Sequence, residues 1–180
     1  MFNYNLKQKI KKIEAGNPRF SDSFQSYECA CRILLLCERD AYEVLLPEID
    51  GFRQTGKELE VLVIDIKKQK GSVPLTDTPD YVKVLTPSDF SRCSHTPVAD
   101  ILKFLKQHRY DVMIDVSTEL NYPMLYLAYI IPASCKMGLK KGDTSPYQFM
   151  IQSTQPLTSS EVWENLLFYW KKIDIKKNNS

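Results

Sequence analysis

Residues 110–117 read YDVMIDVS, a short apolar run that ends in Ser117 and leads into a polar turn with Thr118 and Glu119. Such a run is typical of a strand that is buried on both faces in a parallel sheet. The apolar stretch that follows predicts a helix that opens at residues 118–120 and continues to residue 131. In an open α/β sheet the ligand lies outside the carboxyl ends of the strands. This stretch therefore predicts both the class of fold and the edge at which a ligand would bind.

Strands and helices alternate along the rest of the chain. Apolar runs predict further strands at residues 30–37, 59–66, 81–85, 135–139 and 147–152. Apolar residues at helical spacing predict further helices at residues 2–15, 40–54 and 97–107, and from 158 onward. Pro47 should kink its helix or mark the true start, Thr96 should cap the helix that follows it, and Thr158 with Glu161 should form a capping box. We therefore predict an α/β fold, a three-layer Rossmann-like domain with a mainly parallel sheet.

The length of 180 residues suits one domain with a single core. We assign residues 1–18 to an N-terminal amphipathic helix that packs on the core and residues 19–175 to one Rossmann-like α/β domain. Residues 176–180 are expected to form a frayed tail. The polar stretch 67–80 is long for a structureless connection, so we expect a functional loop there or a short hidden element.

The charge and cysteine content are those of an ordinary globular protein. The chain has 24 Lys and Arg against 22 Asp and Glu, a net charge of +2, which gives no reason to expect nucleic acid as a partner. No apolar run approaches the roughly 20 residues that a membrane-spanning helix needs. The five cysteines are odd in number and lie mostly within or beside apolar runs, which favours reduced thiols over a disulfide framework. We therefore expect a cytoplasmic protein with no membrane partner.

Two segments of the chain carry a resemblance to a known family. The first is RILLLCERD at 32–40 with Leu46 and Pro47, and the second runs from YDVMID at 110–115 through YLA at 126–128 to KMG at 136–138. Together they resemble the N-terminal Rossmann-like lobe of the heptosyltransferase-type glycosyltransferases. The resemblance implies a catalytic-type aspartate at Asp40. It also implies that a second lobe, which would hold the sugar-nucleotide donor, comes from a partner.

The whole chain is also similar to a family of small uncharacterised bacterial proteins. The similarity runs from the lysine-rich first helix to WENLL at 163–167. It implies an α/β fold and supplies no function.

The turns after the predicted strands bring several polar residues to one edge of the sheet. Our candidate ligand-binding residues there are Glu38, Arg39, Ser117, Thr118, Glu119 and Asn121. Ser117 and Thr118 could bind an anion through their hydroxyls and through the N–H groups of the helix they introduce, or one of them could simply cap that helix. The candidate catalytic bases are Asp40 and Glu119. Asp115, inside the strand, is interpreted as a structural carboxylate with hydrogen-bond partners.

No recognisable motif for a cofactor or a metal accompanies these candidates. No G-x-G-x-x-G follows a strand, so no cofactor is predicted. Cys93 and His95 have no second pair at ligand spacing, so no metal site is predicted, and the segment around them is interpreted as a surface loop.

We therefore favour a non-catalytic domain that binds a small anionic or sugar-phosphate molecule, or that interacts with a protein partner or a second copy of itself. One alternative is a reduced glycosyltransferase-like or phosphate-ester-acting enzyme that uses Asp40 or Glu119 as its base. The other is a half-domain that a partner completes.

Overall fold

A six-stranded sheet forms the centre of the computed structural model, which describes residues 2–16, 24–66, 75, 77–142 and 145–173. Every pair of neighbouring strands is parallel, in the order β3-β2-β1-β4-β5-β6. The strands are β1 (Arg32–Glu38), β2 (Glu58–Ile64), β3 (Val82–Leu85), β4 (Tyr110–Asp115), β5 (Ala133–Leu139) and β6 (Phe149–Ile151). This is the doubly wound order of Rossmann folds, and its direction reverses between β1 and β4, a point called the topological switch point.

The central strand shows why the apolar runs form this sheet. In β1, Ile33, Leu35 and Cys37 face one layer of helices, and Leu34 and Leu36 face the other. All five side chains are almost completely buried. A strand covered on both faces needs apolar residues at consecutive positions rather than at alternate ones.

Helices lie on both faces of the sheet and complete three layers. They are α1 (Phe2–Gly16), α2 (Arg39–Val44), α3 (Leu46–Arg53), α4 (Ala99–Gln107), α5 (Tyr122–Ile130) and α6 (Ser159–Ile173). One face of the sheet is covered by α2, α3 and α6, and the other face by α4 and α5. Helix α1 lies against α5, where Ile10 packs with Leu125 and Tyr129. The predicted Rossmann-like α/β fold is confirmed, and the sheet is wholly parallel.

The predicted helix over residues 40–54 is two helices, α2 and α3, with Leu45 between them. Pro47 lies in the first turn of α3, so it marks the start of a helix rather than a kink within one. At the other end of the chain, the capping box that starts α6 is confirmed. The Thr158 N–H donates to Glu161 Oε2 at 2.7 Å, and the Glu161 N–H donates to Thr158 Oγ1 at 3.2 Å.

Helix α4 begins at Ala99, two residues later than predicted, and Thr96 does not cap it. The Thr96 hydroxyl instead lies 2.8 Å from the Ser94 hydroxyl and accepts a hydrogen bond from Lys9 Nζ at 3.4 Å. Pro97 pairs with Phe90 in an isolated antiparallel bridge. The prediction was wrong here because the Thr96 hydroxyl binds the neighbouring Ser94 and the distant Lys9 instead of the helix terminus.

Helix α5 begins at Tyr122 rather than at residues 118–120, and neither Ser117 nor Thr118 caps it. Asn121 is the capping residue, and its side chain accepts a hydrogen bond from the Met124 N–H. The later start fits a proline in the first turn, because proline lacks an N–H that the helix would otherwise leave unpaired.

Two predictions fall on residues that the structure does not describe. The predicted tail at 176–180 and most of the stretch 67–80 lie outside the described residues. Within the described part, no helix combines the length and the apolar character needed to cross a bilayer.

Candidate functional site

At the topological switch point, side chains from the two halves of the sheet bind each other. Asn121 Nδ2 donates to Glu38 Oε1 at 2.5 Å, which joins the end of β1 to the start of α5. Arg39 is turned toward the end of β2, where its guanidinium donates to Asp65 Oδ2 at 3.1 Å and to Glu43 Oε1 at 3.0 Å. The structure therefore brings Glu38 and Asn121 into contact and pairs Arg39 with the carboxylates of Glu43 and Asp65.

Asp115, the last residue of β4, is completely buried and accepts four hydrogen bonds. Its Oδ1 accepts from the N–H of Ser117 at 2.8 Å and from the Ser117 hydroxyl. Its Oδ2 accepts from Lys141 Nζ at 3.1 Å and from the Tyr147 hydroxyl. Lys141 Nζ also lies 2.5 Å from Ser117 Oγ. We call the side chains of Asp115, Ser117, Lys141 and Tyr147 the Asp115 network. Both carboxylate oxygens of Asp115 have hydrogen-bond partners, which agrees with its interpretation as a structural carboxylate.

The Asp115 network is poorly suited to nucleophilic catalysis. Ser117 is only 3 % exposed, and its hydroxyl hydrogen is donated to Asp115. Burial and the Asp115 carboxylate raise the pKa of Tyr147 well above its usual value. The same two causes raise the pKa of the Cys37 thiol, which is completely buried in β1. These groups therefore stay protonated near neutral pH, and the network joins the end of β4 to the segment after β5.

Gly138 provides the space for Tyr147 in this network. It lies opposite Asp115 in the register of β4 and β5. A Cβ added at Gly138 would lie 2.8 Å from the Tyr147 ring, too close without a movement of the ring. Because the ring is buried and its hydroxyl donates to Asp115, that movement would also disturb the network.

We expect Gly138→Ala to lower the free energy of unfolding by about 1–3 kcal/mol, the range for overpacking a core. Urea denaturation gives the measurement. The matched control is Gly51→Ala in α3, where an added Cβ meets no atom within 4 Å. Alanine at this helical position should stabilise the protein by about 0.5–1 kcal/mol. If both substitutions changed stability in the same direction, the proposed role of Gly138 would be wrong.

The other predicted site residues are spread around the same edge. Thr118 is half-buried, and Glu119 is exposed in the loop before α5. Asp40 is exposed in the first turn of α2. The two candidate bases therefore lie on different segments, Asp40 on α2 and Glu119 in the loop before α5.

A cavity of about 560 Å³ lies beside the switch point at the carboxyl edge of the sheet. Its apolar walls come from three elements: Ile66 after β2, Pro87 and Phe90 after β3, and Pro123 in the first turn of α5. Its polar lining residues are Ser88, Ser91, Arg92 and His95. We call this space the edge cavity. Its size and its mainly apolar lining with a few polar groups are typical of pockets that bind small ligands.

Three of the four polar lining residues, Ser91, Arg92 and His95, come from a closed loop, residues 90–97, which we call the 90–97 loop. The Phe90–Pro97 bridge closes it, and the Ser91 N–H donates to the Thr96 carbonyl at 2.9 Å. The His95 N–H donates to the Ser91 carbonyl at 2.8 Å. His95 has a φ of 54°, and among the described residues it is the one non-glycine residue with a positive φ. Such strained conformations persist where the surroundings hold them, and they cluster at functional sites.

Sequence reasoning missed the edge cavity because its residues carry no shared motif. The segment around His95 reads as a polar surface loop, and only the fold places it beside Ile66 and Pro123. The one feature of the sequence that points to this cavity is the close spacing of two polar side chains, Arg92 and His95. Among the described residues, no group of three or more His, Cys, Asp or Glu side chains is arranged to hold a metal ion.

Comparison with known proteins gives a family but no function. DUF6913, described as a family of unknown function, matches residues 1–173 of the chain. No curated protein and no solved structure matches the chain.

Proposed function

Since the chain belongs to this family of unknown function, we propose its role from geometry: a non-catalytic domain that binds a small molecule in the edge cavity. The observation that carries the proposal is the position of the cavity. In doubly wound sheets, ligands bind outside the carboxyl ends of the strands and beside the switch point. The edge cavity is lined from the ends of β2 and β3 and from the start of α5, which is that edge.

A non-catalytic role is supported by the state of the reactive groups. Ser117 and Tyr147 are bound to Asp115 inside the protein, and Cys37 is buried in β1. The candidate bases Asp40 and Glu119 are exposed, and neither lines the edge cavity. The glycosyltransferase-like alternative rests on the resemblance of Asp40 and its strand to one lobe of that family. A cytoplasmic location and binding to a protein partner are predictions from the sequence.

A thermal-shift screen of the purified chain against nucleotides, sugar nucleotides and phosphorylated or carboxylated metabolites tests the proposal. A ligand present at about 100 times its Kd stabilises the folded state by about 2.7 kcal/mol, so the melting temperature should rise. In the variant Ser88→Trp, the added ring fills part of the cavity and should abolish that rise. Ser88 is exposed in the short helical turn after β3, so the substitution leaves the core untouched.

The matched control is Ser134→Trp, an exposed serine at the amino end of β5 and therefore at the opposite edge of the sheet. It should keep the full rise in melting temperature. A screen with no stabilising compound, or a compound that stabilises Ser88→Trp as much as wild type, would contradict the proposal. Chemical conversion of the bound compound by the purified protein would replace it with the enzymatic alternative.

A further inference from the structure

The polar groups of the edge cavity are mainly hydrogen-bond donors. Arg92 offers the five N–H groups of its guanidinium and no acceptor. Ser91 offers the hydrogen of a hydroxyl whose oxygen accepts from the Ser94 N–H at 3.4 Å. The Ser88 hydroxyl lies 2.7 Å from the Thr86 hydroxyl, which itself donates to Asp89. No acidic side chain is among the described lining residues. This lining therefore matches a ligand that accepts hydrogen bonds and carries negative charge.

Arg92 is available to such a ligand. Its side chain is exposed, and no carboxylate of the described residues forms an ion pair with it. Arg39 makes a useful comparison, since its guanidinium binds both Glu43 and Asp65. The two arginines lie at the same edge of the sheet, but only Arg92 lines the cavity without a carboxylate partner.

The loop that carries Arg92 and His95 is held in place from outside the cavity. Besides its own bridge and turn bonds, it is bound by two side chains of α1. Asn5 Nδ2 donates to the Cys93 carbonyl at 3.4 Å, and Lys9 Nζ donates to Thr96 Oγ1 at 3.4 Å. Because the backbone that carries Arg92 is fixed before binding, less conformational entropy is lost when the ligand arrives, and this raises affinity.

The other part of the cavity lining is apolar. Ile66, Phe90 and Pro123 present carbon surface and no charged group. A free inorganic ion would leave that surface in contact with water, whereas a larger molecule would cover it. A ligand that matches both the charged and the apolar lining has two parts.

From this arrangement we infer that the ligand is an organic oxyanion: a carboxylate or phosphate group bound by Arg92, attached to an apolar body seated against Ile66, Phe90 and Pro123. The guanidinium binds either anion with two parallel hydrogen bonds. This inference rests on the proposed function, because it names the class of molecule that the same cavity takes.

Titrations with small probes, followed by NMR, test the inference. The probes are benzoate, phenyl phosphate, the neutral analogue benzamide, and inorganic phosphate, which lacks an apolar body. Benzoate or phenyl phosphate should bind at least tenfold more tightly than benzamide and inorganic phosphate, since a hydrogen bond to a charged group typically contributes a factor of roughly 10 to 100. The tighter of the two anions identifies carboxylate or phosphate as the natural group.

Substitutions at Arg92 separate this inference from the proposed function. Arg92→Ala should weaken the anionic probe by about 10- to 100-fold and leave benzamide unchanged. Arg92→Lys should fall between, because lysine is a single point charge without the planar fork. The control is Arg109→Ala, an exposed arginine just before β4 and so at the opposite edge of the sheet. It should leave every probe unaffected.

Two results would overturn the inference. If benzamide bound as tightly as the anions and Arg92→Ala changed nothing, the cavity would bind neutral molecules, and only the proposed function would stand. If no probe bound, and no compound in the thermal-shift screen gave a rise that Ser88→Trp abolished, both would fail.

Discussion

Replacing Asp115 by alanine is expected to lower the free energy of unfolding by about 3–5 kcal/mol, the range for removing one partner of a buried ion pair. The substitution leaves Lys141 Nζ and the Tyr147 hydroxyl without their carboxylate acceptor in the interior. It also removes the acceptor of two bonds from Ser117. Since domains are stable by only about 5–15 kcal/mol, such a loss approaches complete unfolding.

Urea denaturation followed by circular dichroism measures this loss. Should the alanine variant not fold, Asp115→Asn gives a graded result, since its carbonyl oxygen still accepts from the Ser117 N–H, and the expected loss is smaller. The matched control is Asp50→Ala, an exposed carboxylate on α3, which should change stability by no more than about 0.5 kcal/mol.

A double substitution tests whether Asp115 acts through Lys141. Asp115→Ala combined with Lys141→Met removes both charges together, so the double variant should lose less stability than the sum of the two single variants. Simple additivity of the two losses would contradict the network.

The second large effect is on pH dependence and concerns Lys136 in β5. This lysine is only 8 % exposed, and its Nζ donates to the carbonyls of Ala128 at 2.7 Å and Tyr129 at 3.2 Å, in the last turn of α5. Burial lowers the pKa of Lys136 from 10.5 to about 8. Carbonyls at the carboxyl end of a helix attract a cation, but they do not replace the water that the ammonium loses.

Between pH 8 and 10.5 the unfolded chain holds a proton on Lys136 that the folded protein has released. Stability therefore rises with pH in this window, by up to about 3 kcal/mol from this group. The cysteines Cys37 and Cys135 and the buried tyrosines act in the opposite direction, because burial raises their pKa values in the folded state. The effect of Lys136 must therefore be measured as a difference.

The measurement compares wild type with Lys136→Met by urea denaturation between pH 7 and 10.5. Wild type should gain up to about 3 kcal/mol relative to the variant across this range. Lys140→Met, at the exposed lysine directly after β5, is the control, and its curve should run parallel to that of wild type. A Lys136→Met curve that also ran parallel to wild type would show that the buried ammonium does not lose its proton in this window.

The strands of this fold were predictable because burial on both faces leaves a local signature. β1 and β4 are centred on consecutive apolar residues, 33–37 and 112–114, as burial on both faces of a parallel sheet requires. Helix boundaries were less predictable, since a cap is decided by competition between partners. Thr96 is drawn to Ser94 and Lys9, and Ser117 to Asp115, so neither caps the helix that follows it.

The sequence predicts the edge of the sheet at which the candidate site lies, but it does not predict the residues that line the site. The rule for parallel sheets gave the carboxyl ends of the strands, and both Glu38 and Asn121 lie there in contact. The edge cavity needed the folded chain, because Ile66, His95 and Pro123 meet only after several crossovers have packed. The partners of Asp115 were hidden for the same reason, since Lys141 and Tyr147 follow it by 26 and 32 residues.

The wholly parallel sheet also has a consequence for how the chain reaches its folded state. Parallel neighbours cannot be joined by a tight hairpin, so no pair of strands in this sheet can form early as a small local unit. The central pair is the most demanding: Asp111 at the start of β4 accepts hydrogen bonds from the backbone N–H groups of Cys31 and Arg32, and the Cys31 contact spans 80 residues of sequence. Because closing such long loops costs entropy before any contact repays it, folding should be slow for a protein of this size. The docking of β4 on β1 is then the step that joins the two halves of the sheet and creates the edge at which a ligand can bind.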